Sequence, residues 1–577
     1  MMLQALIAYA EREKLTEADF ETVGVRWLIP LDRFGKLGGG PIPLMENPDD
    51  KKPRPKSFTR PFTSPNELSP GTKSHFLCDT LERAVLYLDP KFPDNAEGRR
   101  VQHGYFQSML EEASVACSDE KARLQSVLLF LRNPEAMKEL HQHFATAKAK
   151  PSDNVLFQVD GINLLKSESL KTFWRNRRRR VSAGVKTREA RICIATGEIG
   201  ETLDTTEKIK GVPGGLAMGT NLISFDKDAF CSFGLEQAQN ASLSAPAELK
   251  IRSALNQLIQ TSRGQGLVFN NTVHLHWTRQ PVEFDPMDLL SGADENGVKE
   301  LIQSVRDGEQ IHGLDANAYY ATSLSGNGAR IVVRDWLEAT VQEVKNHVAK
   351  WFQDLSVIPL DGVGVKRDFK FYALLYGMVR ADLEEISPQI PTQLLYAALR
   401  GTPLPQAALA AAIRRQQLDQ ENKLNPARIA LMKACLNRPP HKKQNEPMNE
   451  CLNSESTDPA YLCGRLFAVF DRLQYLALGG VNAGVVERYY ASASVTPSLV
   501  MGRLFRNAQF HLAKAEKGIS TNVAKDFEIV TCALGDKFPA TLDLEGQGRF
   551  ALGYYHQKAD YRRRTAERKE QLAEKTA

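Results

Sequence analysis

His274 and His276 alternate along Val273-His274-Leu275-His276-Trp277. On a strand both side chains would point to one face, and an H-x-H pair can ligate a metal ion. No third ligand stands at a telling spacing, so the competing reading is two packed histidines. Cys193 precedes Thr196-Gly197-Glu198, and one cysteine does not make a zinc site. Asp543 and Glu545 sit beside Gly546-Gln547-Gly548, where they suit the start of a helix better than a magnesium site. His556 lies among aromatic neighbours on an expected helix and reads as a packing residue. The glycines at 211, 214, 215 and 219 do not spell G-x-x-x-x-G-K-[ST], and neither G-x-S-x-G nor H-E-x-x-H occurs. The expectation is no catalytic constellation, no metal and no cofactor.

The charges are more telling. Between Lys171 and Arg191 stand nine Lys or Arg and one acid. They include Arg175, Arg177, Arg178, Arg179, Arg180, Lys186, Arg188 and Arg191. A dense positive block in aromatic-containing folded sequence points to a polyanion, most economically nucleic acid. A second basic feature follows a helix start, with Thr496 as N-cap candidate and Pro497 at the first helical position. There Met501, Leu504, Phe505, Ala508 and Leu512 share one face, and Arg503, Arg506, Asn507 and Lys514 share the opposite one. That stripe is either a solvated face or a rail for phosphates.

The 577 residues exceed one core, and a prior of about 100–200 residues per domain gives two to four domains. The net charge is only +5, so the basic character is confined to patches. No apolar run reaches the roughly 18 residues of a membrane span, and the first residues carry no basic signal-peptide region. The eight cysteines are scattered and form no C-x-x-C pair. A reduced, cytoplasmic location is expected.

The elements that must position these residues read as α+β: a mixed α/β N-terminal body followed by an all-helical C-terminal bundle. A strand is expected over Val23–Ile29 with Pro30 stopping it, and others over 154–159, 273–277 and 329–334. Residues 49–73, rich in Pro and basic groups, read as an extended linker or a basic loop. Residues 284–315 read as a polar loop. After Trp336 helical periodicity dominates, with helices expected near 337–354, 369–384, 391–400, 404–418, 425–437, 460–477, 497–516 and 545–574. The Pro-rich stretch 438–459 interrupts them. Expected domains are 1–345, a connector over 346–440 and a bundle over 441–577.

Several segments, in order along the whole chain, resemble one family. They are Met2-Leu3-Gln4-Ala5-Leu6, Phe76-Leu77 with Asp79-Thr80, Ile194-Ala195-Thr196-Gly197-Glu198, and Ile223-Ser224-Phe225-Asp226 with Ser232-Phe233-Gly234. Ala329-Arg330-Ile331-Val332-Val333-Arg334, Tyr461-Leu462-Cys463-Gly464-Arg465, Tyr490-Ala491-Ser492-Ala493-Ser494 and Gly553-Tyr554-Tyr555-His556-Gln557 complete the set. The set resembles the large subunit, Cas-eight-c type, of the type I-C CRISPR Cascade complex of antiviral defence. The resemblance implies a non-catalytic subunit of an RNA-guided DNA-binding complex. Such a subunit reads the protospacer-adjacent motif on double-stranded DNA, aids duplex opening, stabilises the R-loop and docks a helicase-nuclease. Implied partners are crRNA, target double-stranded DNA, the Cascade backbone and crRNA-processing subunits, and a small subunit made from an internal start at Met448 or Met432. Some relatives carry cysteine pairs before the Thr-Gly-Glu turn; this chain has Lys186 to Arg191 there and only Cys193.

Within that resemblance Lys73, Ser74, His75 and Asn221 are the candidate motif readers. The block from Arg175 to Arg191 and the stripe of Arg503, Arg506, Asn507 and Lys514 are candidates for backbone contact. Two alternatives stand beside this reading. One is a crRNA-binding scaffold that does not read duplex DNA. The other is a metal-dependent nuclease using His274 and His276.

Overall fold

The computed structural model describes all residues except 1, 16–18, 47–52, 54, 64–67, 69–70, 89–95, 184–189, 226, 232, 293, 307–315, 367, 420–423, 440–445, 515–518 and 577; the side chains of 179–183, 201, 519–521 and 572–576 are likewise undescribed. The fold is α+β. It has two compact units: Met1–Gly266 with Thr272–Leu275 and Leu324–Arg334, and Leu267–Asn271 with His276–Ser323 and Asp335–Ala577. In the second unit the helices share their core with strand residues that precede them, among them Phe269, Tyr319 and Leu337.

The first unit opens with α1 (Met2–Arg12), β1 (Phe20–Val25), β2 (Trp27–Leu31), β3 (Ile42–Pro43), β4 (Lys56–Pro61) and β5 (Cys78–Thr80). The single strand expected over Val23–Ile29 is therefore two, divided at Arg26. Pro30 does not end β2 but lies inside it, opposite Gln158. The Pro-rich stretch at 49–73 contributes β4, paired antiparallel with β1 from Phe20↔Pro61 to Val25↔Lys56. Alternation along β4 buries Arg60. Four helices follow, α2 (Leu81–Ala84), α3 (Ala96–Ala116), α4 (Lys121–Leu131) and α5 (Pro134–Thr146), and then β6 (Asn154–Val159) and β7 (Ile162–Asn163). The central sheet runs β3-β2-β6-β5, with β2 and β6 parallel. Next come α6 (Glu168–Ala183), the small antiparallel pair β8 (Ala190–Ile192) and β9 (Ile199–Glu201), and α7 (Ala245–Gly264). Ile29, Phe76, Phe106, Phe130, Val155, Leu170 and Trp174 belong to one continuous apolar core.

The chain continues with β10 (Val268–Phe269), β11 (Thr272–Thr278), α8 (Pro286–Gly292), α9 (Glu295–Arg306), β12 (Ala318–Asn327) and β13 (Arg330–Thr340). The strands form a sheet in that order. Helices α8 and α9 occupy 286–292 and 295–306 of the stretch expected to be a loop, whose residues 307–315 lie outside the described residues. Val298, Leu301 and Ile302 give α9 a buried stripe at helical spacing, and the Asp294 carboxylate accepts from the Gly297 amide at 2.8 Å.

Beyond β13 the chain is helical: α10 (Val341–Leu355), α11 (Phe371–Tyr376), α12 (Gln389–Arg400), α13 (Gln406–Leu418), α14 (Pro426–Asn437), α15 (Pro459–Leu478), α16 (Val485–Val495), α17 (Pro497–Lys514), α18 (Ile519–Leu534) and α19 (Leu544–Thr576). Thr340 and Glu343 form a capping box at α10, and Asp458 caps α15 by accepting from the Tyr461 amide at 2.8 Å. Leu462, Leu466, Phe467, Phe470, Tyr490, Leu504, Phe550 and Tyr554 close a core made almost entirely from α15–α19. Gly464 and Gly553 let α15 and α19 touch backbone to backbone. A Cβ at Gly464 would meet the Phe550 carbonyl, and one at Gly553 would meet the Tyr461 carbonyl.

Candidate nucleic-acid interface

The segment Gly71–His75 leads into β5. Lys73 is half-buried, whereas Ser74 and His75 are buried. This placement differs from the expectation of base contacts, and Arg60 supplies the reason. A buried guanidinium requires acceptors. Arg60 donates to Glu21 Oε1 through Nε at 3.0 Å and Nη2 at 2.9 Å, and to the Cys78 carbonyl at 3.1 Å. Its Nη2 lies 3.0 Å from His75 Nε2. A guanidinium only donates, so His75 Nε2 accepts and its proton sits on Nδ1. Burial, followed by the charge of Arg60, holds His75 well below the usual histidine range. The His75 amide also donates to Asp79 Oδ2 at 2.7 Å. The pair anchors the loop from inside.

Asn221 follows the glycine-rich loop. Its amide donates to the Ala329 carbonyl at 2.8 Å, and its carbonyl accepts from the Ile331 amide at 2.9 Å. The loop is thereby laid onto the β12–β13 turn. A Cβ at Gly326 would collide with the Gly215 backbone, and the Gly326 amide donates to the Pro213 carbonyl at 2.7 Å. These glycines serve an approach of backbone to backbone within the first unit. The side chain of Asn221 is partly buried. Leu216 and Met218 stand exposed on the loop, and Phe233 beyond it is fully exposed. Arg330 lies over the Phe230 ring, 4.9 Å from its centroid.

The basic block starts on α6. Trp174 fixes this helix, stacking with Phe76 at 5.7 Å and donating through Nε1 to the Asp19 carbonyl at 2.9 Å. Arg175 lies over the Phe20 ring at 5.4 Å. Arg177 Nε donates to Glu112 Oε2 at 3.0 Å, and Arg178 lies 3.7 Å from Asp19 Oδ1. The block is nearly acid-free in sequence, yet α3 and the segment before β1 bring carboxylates to it. Arg179 and Arg180 fall on the last turns of the helix. Lys186 and Arg188 lie outside the described residues. Arg191 is on β8, partly exposed.

Helix α17 matches its expected pattern closely. Met501, Leu504 and Ala508 are buried, while Arg503, Arg506 and Lys514 are exposed and Asn507 is partly so. The Thr496 hydroxyl turns back to the Ser492 carbonyl of α16 at 3.1 Å. Sequence reading missed two exposed apolar side chains on the same helix, Leu499 and Phe510. Their spacing from Arg503 and Arg506 was the available signal.

His274 is buried, and burial holds it at about 3. His276 Nε2 lies 3.2 Å from Asp285 Oδ2, and its ring stacks with Tyr319. His556 is buried, with Nδ1 3.0 Å from the Tyr461 hydroxyl. Burial pushes the Cys193 thiol up, but hydrogen bonds from Ser244 and Thr196 outweigh it and leave the group at about 7. Among the described residues, no three His, Cys, Asp or Glu side chains converge so as to hold a metal ion. Among the same residues no helix is long and apolar enough to cross a membrane.

One protein family model covers most of the chain. This model, CRISPR-associated protein (Cas_Csd1), matches residues 5–562. The chain belongs to this family. No curated protein matches it. Of the residues expected to contact nucleic-acid backbone, Arg175, Arg177 and Arg178 lie partly exposed on α6, and Arg503, Arg506 and Lys514 lie exposed on α17. Arg177 and Arg178 of α6 have carboxylate neighbours from other elements, and α17 contains no acidic residue of its own.

Proposed function

We propose that this protein is the non-catalytic large subunit of a type I-C Cascade complex, a cytoplasmic RNA-guided assembly. It reads the protospacer-adjacent motif on double-stranded DNA, aids duplex opening, stabilises the R-loop and offers a docking surface to the helicase-nuclease. Its other partners are crRNA, the backbone and the crRNA-processing subunits. It requires no cofactor. The observation that carries this reading is the family match over residues 5–562, joined by positive surfaces on two separate helices.

The roles divide by exposure. Lys73 is the foremost candidate for motif reading, since a base edge must be reached by an accessible donor. Ser74 and His75 hold its loop, and Asn221 joins the glycine-rich loop to the β12–β13 turn. The cations of α6 and α17 contact phosphate, which sets affinity and register with little sequence information. The small subunit arises from Met448: Met432 lies mid-way along α14, whereas Met448, although also buried, lies between α14 and α15 and precedes the helices that close their own core.

The test is duplex capture by the assembled complex with and without this subunit, on targets with and without the adjacent motif. Motif-dependent capture that requires the subunit is the expected result. Capture that is equal without it would leave the crRNA scaffold reading in its place.

A further inference from the structure

Phe510 is 70% exposed and Leu499 is 80% exposed, although both lie on a helix whose opposite face packs into the core through Met501, Leu504 and Ala508. At 100° per residue, Leu499, Arg503, Arg506, Phe510 and Lys514 fall within about 80° of one another. Along the axis Phe510 sits about 6 Å from both Arg506 and Lys514. Arg503, Arg506 and Lys514 are exposed, and none of the residues from Pro497 to Lys514 is acidic. An exposed ring interleaved with cations on one stripe is poorly suited to plain solvation, because the ring gains nothing from water. It is also poorly suited to a duplex, whose bases are stacked on each other and offer no free face. It suits an unpaired strand, whose phosphates meet the cations while a base stacks on the ring.

The geometry points to α17 as a single-strand site in which Phe510 is the stacking platform. This deepens the proposed function by naming the ligand of that helix as unpaired nucleic acid, and it rests on that reading for the strand's origin. Arg503, Arg506 and Lys514 track the backbone; Phe510 makes the sequence-independent contact to a base.

The test uses the full chain and an oligothymidylate of about 16 nucleotides, with oligouridylate as a parallel arm to separate DNA from RNA. F510A is expected to weaken binding about 5- to 150-fold without changing the salt slope. F510Y retains affinity, and F510W binds with quenching of its new indole fluorescence. R503A and R506A instead lower the salt slope by about 0.7 for each phosphate the variant no longer neutralises. Wild-type affinity of F510A together with an unquenched F510W overturns the stacking role. If R503A and R506A still weaken binding in that case, the phosphate path stands and only the platform fails. If neither strand binds α17 while the assembled complex captures duplex in a motif-dependent way, the single-strand site is overturned and the proposed function is retained.

Discussion

Arg177 Nε lies 3.0 Å from Glu112 Oε2, so one arginine of the basic block already faces a carboxylate on another helix. Both side chains are partly exposed, and such a pair holds its charge only loosely. A phosphate can compete for the arginine, at the cost of displacing Glu112. E112Q is therefore expected to strengthen duplex binding by the assembled complex. It should also steepen the salt dependence by about 0.9 if Arg177 then takes one phosphate. Binding titrations across a salt series decide it; an unchanged slope would remove Arg177 from the DNA path.

Lys73 and His75 are two residues apart in sequence and should respond differently. K73A is expected to reduce discrimination between right and wrong adjacent motifs by about 1–3 kcal/mol, with little change in thermal stability. H75A deprives buried Arg60 of an acceptor and should lower stability by about 1–3 kcal/mol. Thermal unfolding and motif competition, measured on both variants, separate the roles. A stable H75A that loses discrimination would make the histidine a reader after all.

Burial holds His556 at about 3, with the charges of Lys433 and Arg465 acting in the same direction. The unfolded histidine titrates near about 6.5. Below that value the unfolded chain takes up a proton that the folded one refuses. The contribution to stability is thus fully present above about 6.5 and is lost as pH falls towards 3, at up to about 1.4 kcal/mol per pH unit. His274 behaves in the same way. Denaturant midpoints at about pH 7.5 and about pH 5.5 should differ less in H556Q than in the wild type. An equal difference would mean that protonation of His556 is not coupled to unfolding.

Met448 is held between helices by Asn437, whose side chain bonds both its amide at 2.8 Å and its carbonyl at 2.9 Å. M448L keeps an apolar side chain there and should leave the full-length protein folded. It should abolish a short product from the same gene, whereas M432L should not. Immunoblotting with a C-terminal tag reads both. Loss of the short band in M432L instead would move the start into α14.

Much of the helical half was legible because periodicity and caps agree there. Pro426, Pro459 and Pro497 stand at the first positions of α14, α15 and α17. Strand Asn154–Val159 was equally plain as a buried apolar run. The failures have identifiable causes. Helices α8 and α9 hide in polar composition because each buries only a narrow stripe. Helix α11 ends at Tyr376, shorter than its periodic pattern, where Gly377 packs against the Arg428 backbone. At the candidate interface, exposure of the α17 cations followed from one helix alone and was readable. The inward turn of His75 and the carboxylates facing Arg177 and Arg178 depend on residues tens of positions away, and no local pattern carries them.

Gly464 of α15 and Gly553 of α19 are reciprocal. Each stands where the other helix presents a backbone carbonyl, so the two helices approach closely in this alignment. Sliding either by a turn would drive a side chain into that gap. The C-terminal helices thus carry their own alignment mark. Both halves of it lie after Met448, so a separately translated copy would bring the same mark with it.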